Sequence, residues 1–188
     1  MIRRRRRVIA AAGALLVQLE VPLPAVLEAM HLAEEAGVPV YFNPSPWRDD
    51  FPWGRHALDT VIVNETEAAQ LLGLPTLSET SSLTAGRAQL DRLRIGCLVI
   101  TRGAASTLAC TLTETWETPA HRVTPVDTVG AGDTFAGTYV ARRLAGHPIP
   151  ASLHSANIAA ALSTLLSGAQ EAMPTGLATD AASSPSDV

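Results

Sequence analysis

The stretch "PAVLEAMHLAEEAGVPVYFN", residues 24–43, contains the change of period that decides the fold class. Over Pro24–Gly37 the apolar residues fall at helical spacing. Proline stands in the first turn, where its missing N–H costs nothing, and glycine stands at the end, where a helix stops. "VPVYFN" (Val38–Asn43) is then almost continuously apolar, as a strand is when both its faces are buried. Working outward, the alternation recurs. "GALLVQLE" (Gly13–Glu20) reads as a buried strand upstream. Downstream, "NPSPWRDDFPWG" is a proline-rich loop, "TVIVN" (Thr60–Asn64) a short strand, and "ETEAAQLLG" (Glu65–Gly73) a helix closed by glycine. "SSLTAGRAQLDRLRIG" (residues 81–96) has helical spacing up to Gly96, and "CLVIT" (Cys97–Thr101) is a buried strand. "STLACTL" (Ser106–Leu112) reads as its hairpin partner, and "HRVTPVD" (His121–Asp127) as a further extended piece. Two helices follow, "GDTFAGTYVARRLAG" and "PASLHSANIAAALSTLL".

This alternation predicts an α/β fold with a doubly wound, mainly parallel sheet and flanking helices. Such sheets bind ligands beyond the carboxyl ends of their strands. That places Glu20, Asn43, Asn64, Thr101 and the Asp127–Asp133 loop along one rim.

The chain has 188 residues, 47% of them hydrophobic and 17% charged, enough for a sizeable core packed mostly by aliphatic side chains and alanine. A net charge of -4 argues against nucleic-acid binding through the general surface. Cys97 and Cys110 lack metal-ligand spacing and sit in apolar runs, so they read as small core residues, and nothing implies an oxidising compartment. A cytoplasmic location is expected. His31, His56, His121, His147 and His154 share no spacing and read as surface or capping residues. The five arginines of "MIRRRRRVIAAAGALLV" suit a secretion signal or a nucleic-acid arm superficially, but the apolar run leads straight into the strand pattern. Residues 1–8 are therefore read as a basic extension, non-native or disordered. Residues 9–175 form the folded part, and the small, polar residues 176–188 a disordered tail. No run reaches the roughly 18 apolar residues a membrane span needs.

"DTVGAGDTFAG" (Asp127–Gly137) concentrates glycine where a strand turns into a helix. At Gly130, Ala131 and Gly132 small residues let backbone N–H groups approach a ligand closely. A helix N-terminus adds unpaired donors and partial positive charge. Together they suit a phosphate or a developing phosphoryl charge. Asp133, in the first helical turn, has two possible jobs: capping the helix, or taking a proton from an attacking hydroxyl beside the anion site. The stretch is neither a Walker loop, since no Lys–Ser/Thr pair follows the glycines, nor a G-x-G-x-x-G dinucleotide fingerprint.

"DTVGAGDTFAG" closely resembles the C-terminal signature of the ribokinase family, the PfkB-type sugar and nucleoside kinases. "LLVQLEVPLPAVLEAMHLAEEAGVPVYFNPSP", "VNETEAAQLLG" with its N-x-x-E pattern, "VITRGAAST" and "ANIAAALSTLLSGAQEAMPT" are similar to further family segments in the same order, from Ile9 to Thr175. The resemblance implies an ATP-dependent carbohydrate kinase, with ribose the favoured acceptor. Asp133 would be the catalytic base, and the Gly130, Ala131 and Gly132 amides the anion hole. Asn64 and Glu67 would help place phosphate and Mg²⁺ through water. Thr101, Gly103 and Asn157 would line the nucleotide, and Glu20 would contact the sugar. Asp127, Val129, Ser163 and Gly168 would hold an activating K⁺, near Ala172, where many members have serine. ATP and sugar are the expected partners, with no nucleic acid and no membrane. The resemblance covers the C-terminal part of the family, without the N-terminal portion, the lid over the sugar and the dimer contacts the lid builds. An inactive, nucleotide-binding remnant is therefore the alternative to an enzyme. Fructokinase or 2-keto-3-deoxygluconate kinase specificity is the alternative to ribose.

Overall fold

The computed structural model describes residues 2–74 and 87–183. Six strands form one mixed sheet whose order follows the chain: β1 (Leu15–Val17), β2 (Val40–Phe42), β3 (Leu58–Asn64), β4 (Ile95–Thr101), β5 (Thr107–Cys110) and β6 (Thr115–Thr118). β1 to β4 pair in parallel and β5 returns antiparallel to β4. The expected α/β class with a mainly parallel sheet is the one found. Strand order never reverses, so the described strands contain no switch in winding direction. The helices are α1 (Arg6–Ala10), α2 (Leu23–Glu35), α3 (Glu65–Leu72), α4 (Ala131–Leu144), α5 (Ile149–Ser163) and α6 (Gly176–Ser183), with residues 87–92 also helical.

The chain divides into two compact units, residues 1–102 with 108–116, and residues 103–107 with 117–188. In the first unit the core collects Val26, Met30, Phe42, Val61, Leu98 and Ile100, all at most 1% exposed. They come from one face of α2 and the centres of β2, β3 and β4, where both sheet faces are covered. Phe42, Phe51 and Trp53 pack ring against ring beside them. In the second unit α4 and α5 pack along each other, burying Phe135 and Tyr139 of the one and Leu153 and Ile158 of the other.

Several expectations are corrected. β1 is an edge strand of three residues with Leu16 exposed, so "GALLVQLE" is neither long nor fully buried. The helix expected to run to Gly96 ends near residue 92; its part over residues 81–86 lies outside the described residues. Gly96 belongs instead to β4, where a methyl group would stand 2.9 Å from the Asp59 carbonyl, so close strand approach explains the glycine. "HRVTPVD" forms no strand, and β6 was not anticipated. The basic stretch is not disordered over residues 2–8. Ile2–Arg5 is a 3₁₀ turn running into α1, and Arg3 and Arg6 pair with Glu28 and Glu35 of α2. Nor is the tail disordered from residue 176, because α6 packs on α5 and buries Thr179; residues 184–188 lie outside the described set.

Both cysteines are free and buried, as expected, and burial pushes the Cys110 thiol up to about 11. His56 is not a surface residue. It is buried, with Nδ1 2.9 Å from Glu34 Oε2, and Glu34 also receives Arg94. Among the described residues no helix is long and apolar enough to cross a membrane.

Candidate functional site

In the first unit the polar candidates stand where the parallel strands end. Asn64 and Thr101 are register partners, the last residues of β3 and β4, and Thr101 Oγ1 donates to the Val63 carbonyl. Asn43 follows β2 directly. Its Nδ2 donates to the Ile62 carbonyl at 2.8 Å, and its Oδ1 accepts from Gln18 beyond β1 at 3.0 Å. Side-chain amides thus link the ends of three strands along this rim. Gln18 was not singled out in the sequence, because an isolated glutamine after a strand carries no distinguishing pattern. Glu20, expected on the same rim, is exposed.

Asn64 is also the N-cap of α3. Its Oδ1 accepts from the Glu67 amide at 2.9 Å, and Glu67 Oε2 accepts from the Asn64 amide at 2.9 Å. This reciprocal capping box satisfies two first-turn donors. Glu67 is only 7% exposed as a result. The N-x-x-E spacing is itself the capping-box pattern, a signal the sequence reading passed over. Gly73, in the left-handed conformation, closes the helix.

In the second unit the glycine-rich turn is built differently. Gly130 is the N-cap of α4 at φ 79°, and glycine has no side chain with which to cap it. A methyl group on Gly130 would lie 3.1 Å from Ala169 Cβ and 3.2 Å from its Cα, so glycine is required twice, by conformation and by space. Around Gly132 a methyl group would meet nothing within 4 Å. The Gly132 amide belongs to the first turn, where a helix supplies no internal acceptor. Asp133, in that same turn, is exposed. The turn therefore joins an open helix N-terminus to a carboxylate at the surface. It can receive an anion and move a proton beside it.

Asp127 precedes the turn. Its Oδ1 accepts from the Val129 amide at 3.0 Å and its Oδ2 from the Gly168 amide at 3.1 Å. These two bonds, the Val129 one first, hold its carboxyl below the usual carboxylate range. Asp127, Val129 and Gly168 are thus brought together as expected, but with both amides pointing at the carboxylate. Ser163 is buried and donates to the Ala160 carbonyl, and Ala172 is buried nearby in sequence. Asn157 is neither solvated nor open: Oδ1 accepts from Thr107 Oγ1 at 2.7 Å, and Nδ2 donates to the Thr118 and Pro119 carbonyls. Gly103 lies in the β4–β5 turn at φ 57° with open space around it. Among the described residues no group of three or more His, Cys, Asp or Glu is placed to hold a metal ion.

Comparison with known proteins fits this geometry. Residues 4–176 match the model of the pfkB family of carbohydrate kinases. The chain is similar to the ribokinase of Mus musculus, 34% identical over 181 residues, covering 92% of this chain and 55% of that protein. It is similar to the ribokinase of Staphylococcus aureus (strain COL), 31% identical over 164 residues, covering 87% of this chain and 54% of that protein. The structure of Arabidopsis thaliana ribokinase complexed with ribose and ATP shares its fold at a TM-score of 0.89, with 24% identity, over 97% of this chain and 59% of that one. The chain thus spans about half the length of the curated relatives it matches. The matched region takes in the strand-end rim, the capped N-x-x-E turn and the glycine-rich turn alike, and the chain belongs to the pfkB family of carbohydrate kinases.

Proposed function

We propose that this chain carries the phosphoryl-transfer machinery of an ATP-dependent sugar kinase, with ribose as the favoured acceptor. The single observation behind the reading is the glycine-rich turn, a helix N-terminus whose N-cap is glycine, open around Gly132, with Asp133 exposed in the same turn. Phosphoryl transfer needs positioned donors and charge stabilisation more than covalent help, and such a turn offers both. The Gly130, Ala131 and Gly132 backbone would receive the γ-phosphoryl group. Asp133 would accept the proton of the sugar hydroxyl as its oxygen bonds to phosphorus, while the bond from that phosphorus to the bridging oxygen breaks and ADP leaves. Ribose is favoured because ribokinases lead the similar proteins, one of them described with ribose and ATP.

Thr101 and Gly103 would face the nucleotide and Glu20 the sugar. Asn157, its side chain spent on three internal bonds, would act by holding α5 against residues 118–119. Mg²⁺ prefers oxygen ligands and keeps several waters. Glu67 suits an outer-shell role, because one carboxylate oxygen is committed to the Asn64 amide while its charge stays at the end of β3. Bound with ATP, Mg²⁺ neutralises phosphate charge. Asp127 accepts two backbone amides and Ser163 donates to Ala160, and no step is assigned to a monovalent cation.

The test is ribose-dependent ADP formation by the purified chain with MgATP, beside Asp133→Asn. Turnover lost in that variant with ADP binding retained supports the reading. Turnover unchanged in the variant overturns the role of Asp133. ADP binding without turnover by the unaltered chain favours a nucleotide-binding role instead.

A further inference from the structure

The glycine-rich turn has little of its own to hold it in place. Its N-cap has no side chain, and the flanking Val126 and Val129 are 69% and 61% exposed, so beside the bonds of Ala131 to Thr128 and of Thr134 to Gly130 it has little apolar burial to fix it. One short segment, residues 164–169, supplies the missing contacts. The amides of Val126 and Asp127 both donate to the Thr164 carbonyl, at 2.7 and 3.1 Å. Gly168 donates its amide to Asp127 Oδ2, while Oδ1 of the same carboxylate takes the Val129 amide. Ala169 sits against Gly130 closely enough to exclude a methyl group there. Residues 126–130 are thus tied to the chain leaving α5, and a single carboxylate bridges the two sides.

We infer that Asp127 is a positioning residue, whose carboxylate bridges the Val129 and Gly168 amides and holds the Gly130–Gly132 turn in its receiving geometry before nucleotide arrives. The inference rests on the phosphate-accepting reading of that turn. Donors fixed in advance need no reorganisation when charge develops, and small misplacements of such donors cost rate steeply. A neutral amide cannot replace the carboxylate, because it offers one acceptor oxygen and turns an NH₂ group towards the other N–H donor.

Amide hydrogen exchange on the purified chain, without nucleotide, tests this with Asp127→Asn. Exchange at residues 129–133 should speed up about tenfold, as expected for loss of one charge-assisted hydrogen bond. Exchange at Phe135–Val140 inside α4 should stay unchanged, and the affinity for a non-hydrolysable ATP analogue, which keeps the γ-phosphoryl group, should fall by a similar factor when measured by calorimetry. A second variant, Asp127→Ser, keeps a local turn to Val129 and gives up the bridge to Gly168. It should loosen the same residues, and it decides the matter if the first variant does not fold. Native exchange at residues 129–133 in a folded variant overturns the inference. Loosened exchange in a protein whose unaltered form binds no non-hydrolysable ATP analogue overturns the phosphate reading instead, so the two failures are distinguishable.

Discussion

Two helices in this chain start with an acid at the same position, buried in one and exposed in the other. In α3 the N-cap is Asn64 and the third helical residue is Glu67; in α4 the N-cap is Gly130 and the third is Asp133. Asn64 and Glu67 cap each other's backbone and Glu67 is buried. Gly130 contributes no side chain, and Asp133 is exposed. A closed helix end has spent its donors on stability. An open one keeps donors for a ligand and leaves its stability to be supplied from outside, here by residues 164–169. The contrast teaches that helix position alone does not assign a role to a first-turn acid; the chemistry of the N-cap does.

The largest effect that would break this comparison is at Asp133. With turnover established, Asp133→Asn should cost a factor of about 10² to 10⁴, the range for a lost general base, with ADP affinity nearly unchanged. Steady-state kinetics beside calorimetry separates the two quantities. Glu67→Gln keeps its capping acceptor but loses the charge offered to Mg²⁺, so it should lose less turnover than Asp133→Asn and need more Mg²⁺. Equal losses in both variants would erase the distinction between the closed turn and the open one.

The glycines of the open turn come next. Gly130→Ala forces a side chain into left-handed backbone and against Ala169, which together should cost about 2 kcal/mol of stability. Gly132→Ala meets open space and should change the urea midpoint very little. If the γ-phosphoryl group lies there, affinity for a non-hydrolysable ATP analogue should fall in Gly132→Ala all the same. A stable Gly132→Ala protein with native affinity would mean that the open space is not where the phosphate sits.

Much of this was legible in the sequence. The apolar period gave the order of α2, β2, β3, α3 and β4, and glycine at residue 73 marked the end of α3. The glycine-rich turn was readable from residue types alone as the start of a helix, which α4 is. Other features lay outside local pattern. The three-residue length of β1 depends on its place at the sheet edge, and β6 on a neighbour that periodicity does not show. The helicity of Arg6–Ala10 and Gly176–Ser183 comes with packing on α2 and α5, which composition reads as disorder. The internal bonding of Asn157, expected to line the nucleotide, could not be read because its three partners lie 38 to 50 residues away in sequence. The pinning of Gly130 by Ala169 is likewise a contact across 39 positions that no local spacing announces.

At the closed turn a smaller effect is expected. Asn64→Ala removes the side-chain half of the capping box and should cost about 1 kcal/mol, read as a lower urea midpoint. Asn64→Asp should restore most of that loss, since aspartate is an equally good N-cap. A kinetic loss in Asn64→Asp beyond its stability change would show that this capped turn also serves the reaction, and the division between the two helix ends would then be incomplete.

The smallest effect concerns acid. The Asp127 carboxyl is held below its usual value of 3.8 by the Val129 and Gly168 amides, so its folded form binds a proton less readily than its unfolded form. A group depressed in this way stabilises the fold above the unfolded value, and that contribution fades as pH falls through the lower folded value. The sign is fixed: lowering the pH below about 4 should loosen the open turn, whereas raising it from neutrality should do nothing through this group. Asp127 is exposed enough for salt and water to weaken the effect, so the measurement should be local rather than global. Amide exchange at residues 129–133, corrected for the intrinsic pH dependence, should rise below pH 4 in the native chain and stay flat in Asp127→Asn. An equal rise in both would place the acid-sensitive contact elsewhere, and the open turn would then owe its shape to Thr164 and Ala169 rather than to a carboxylate.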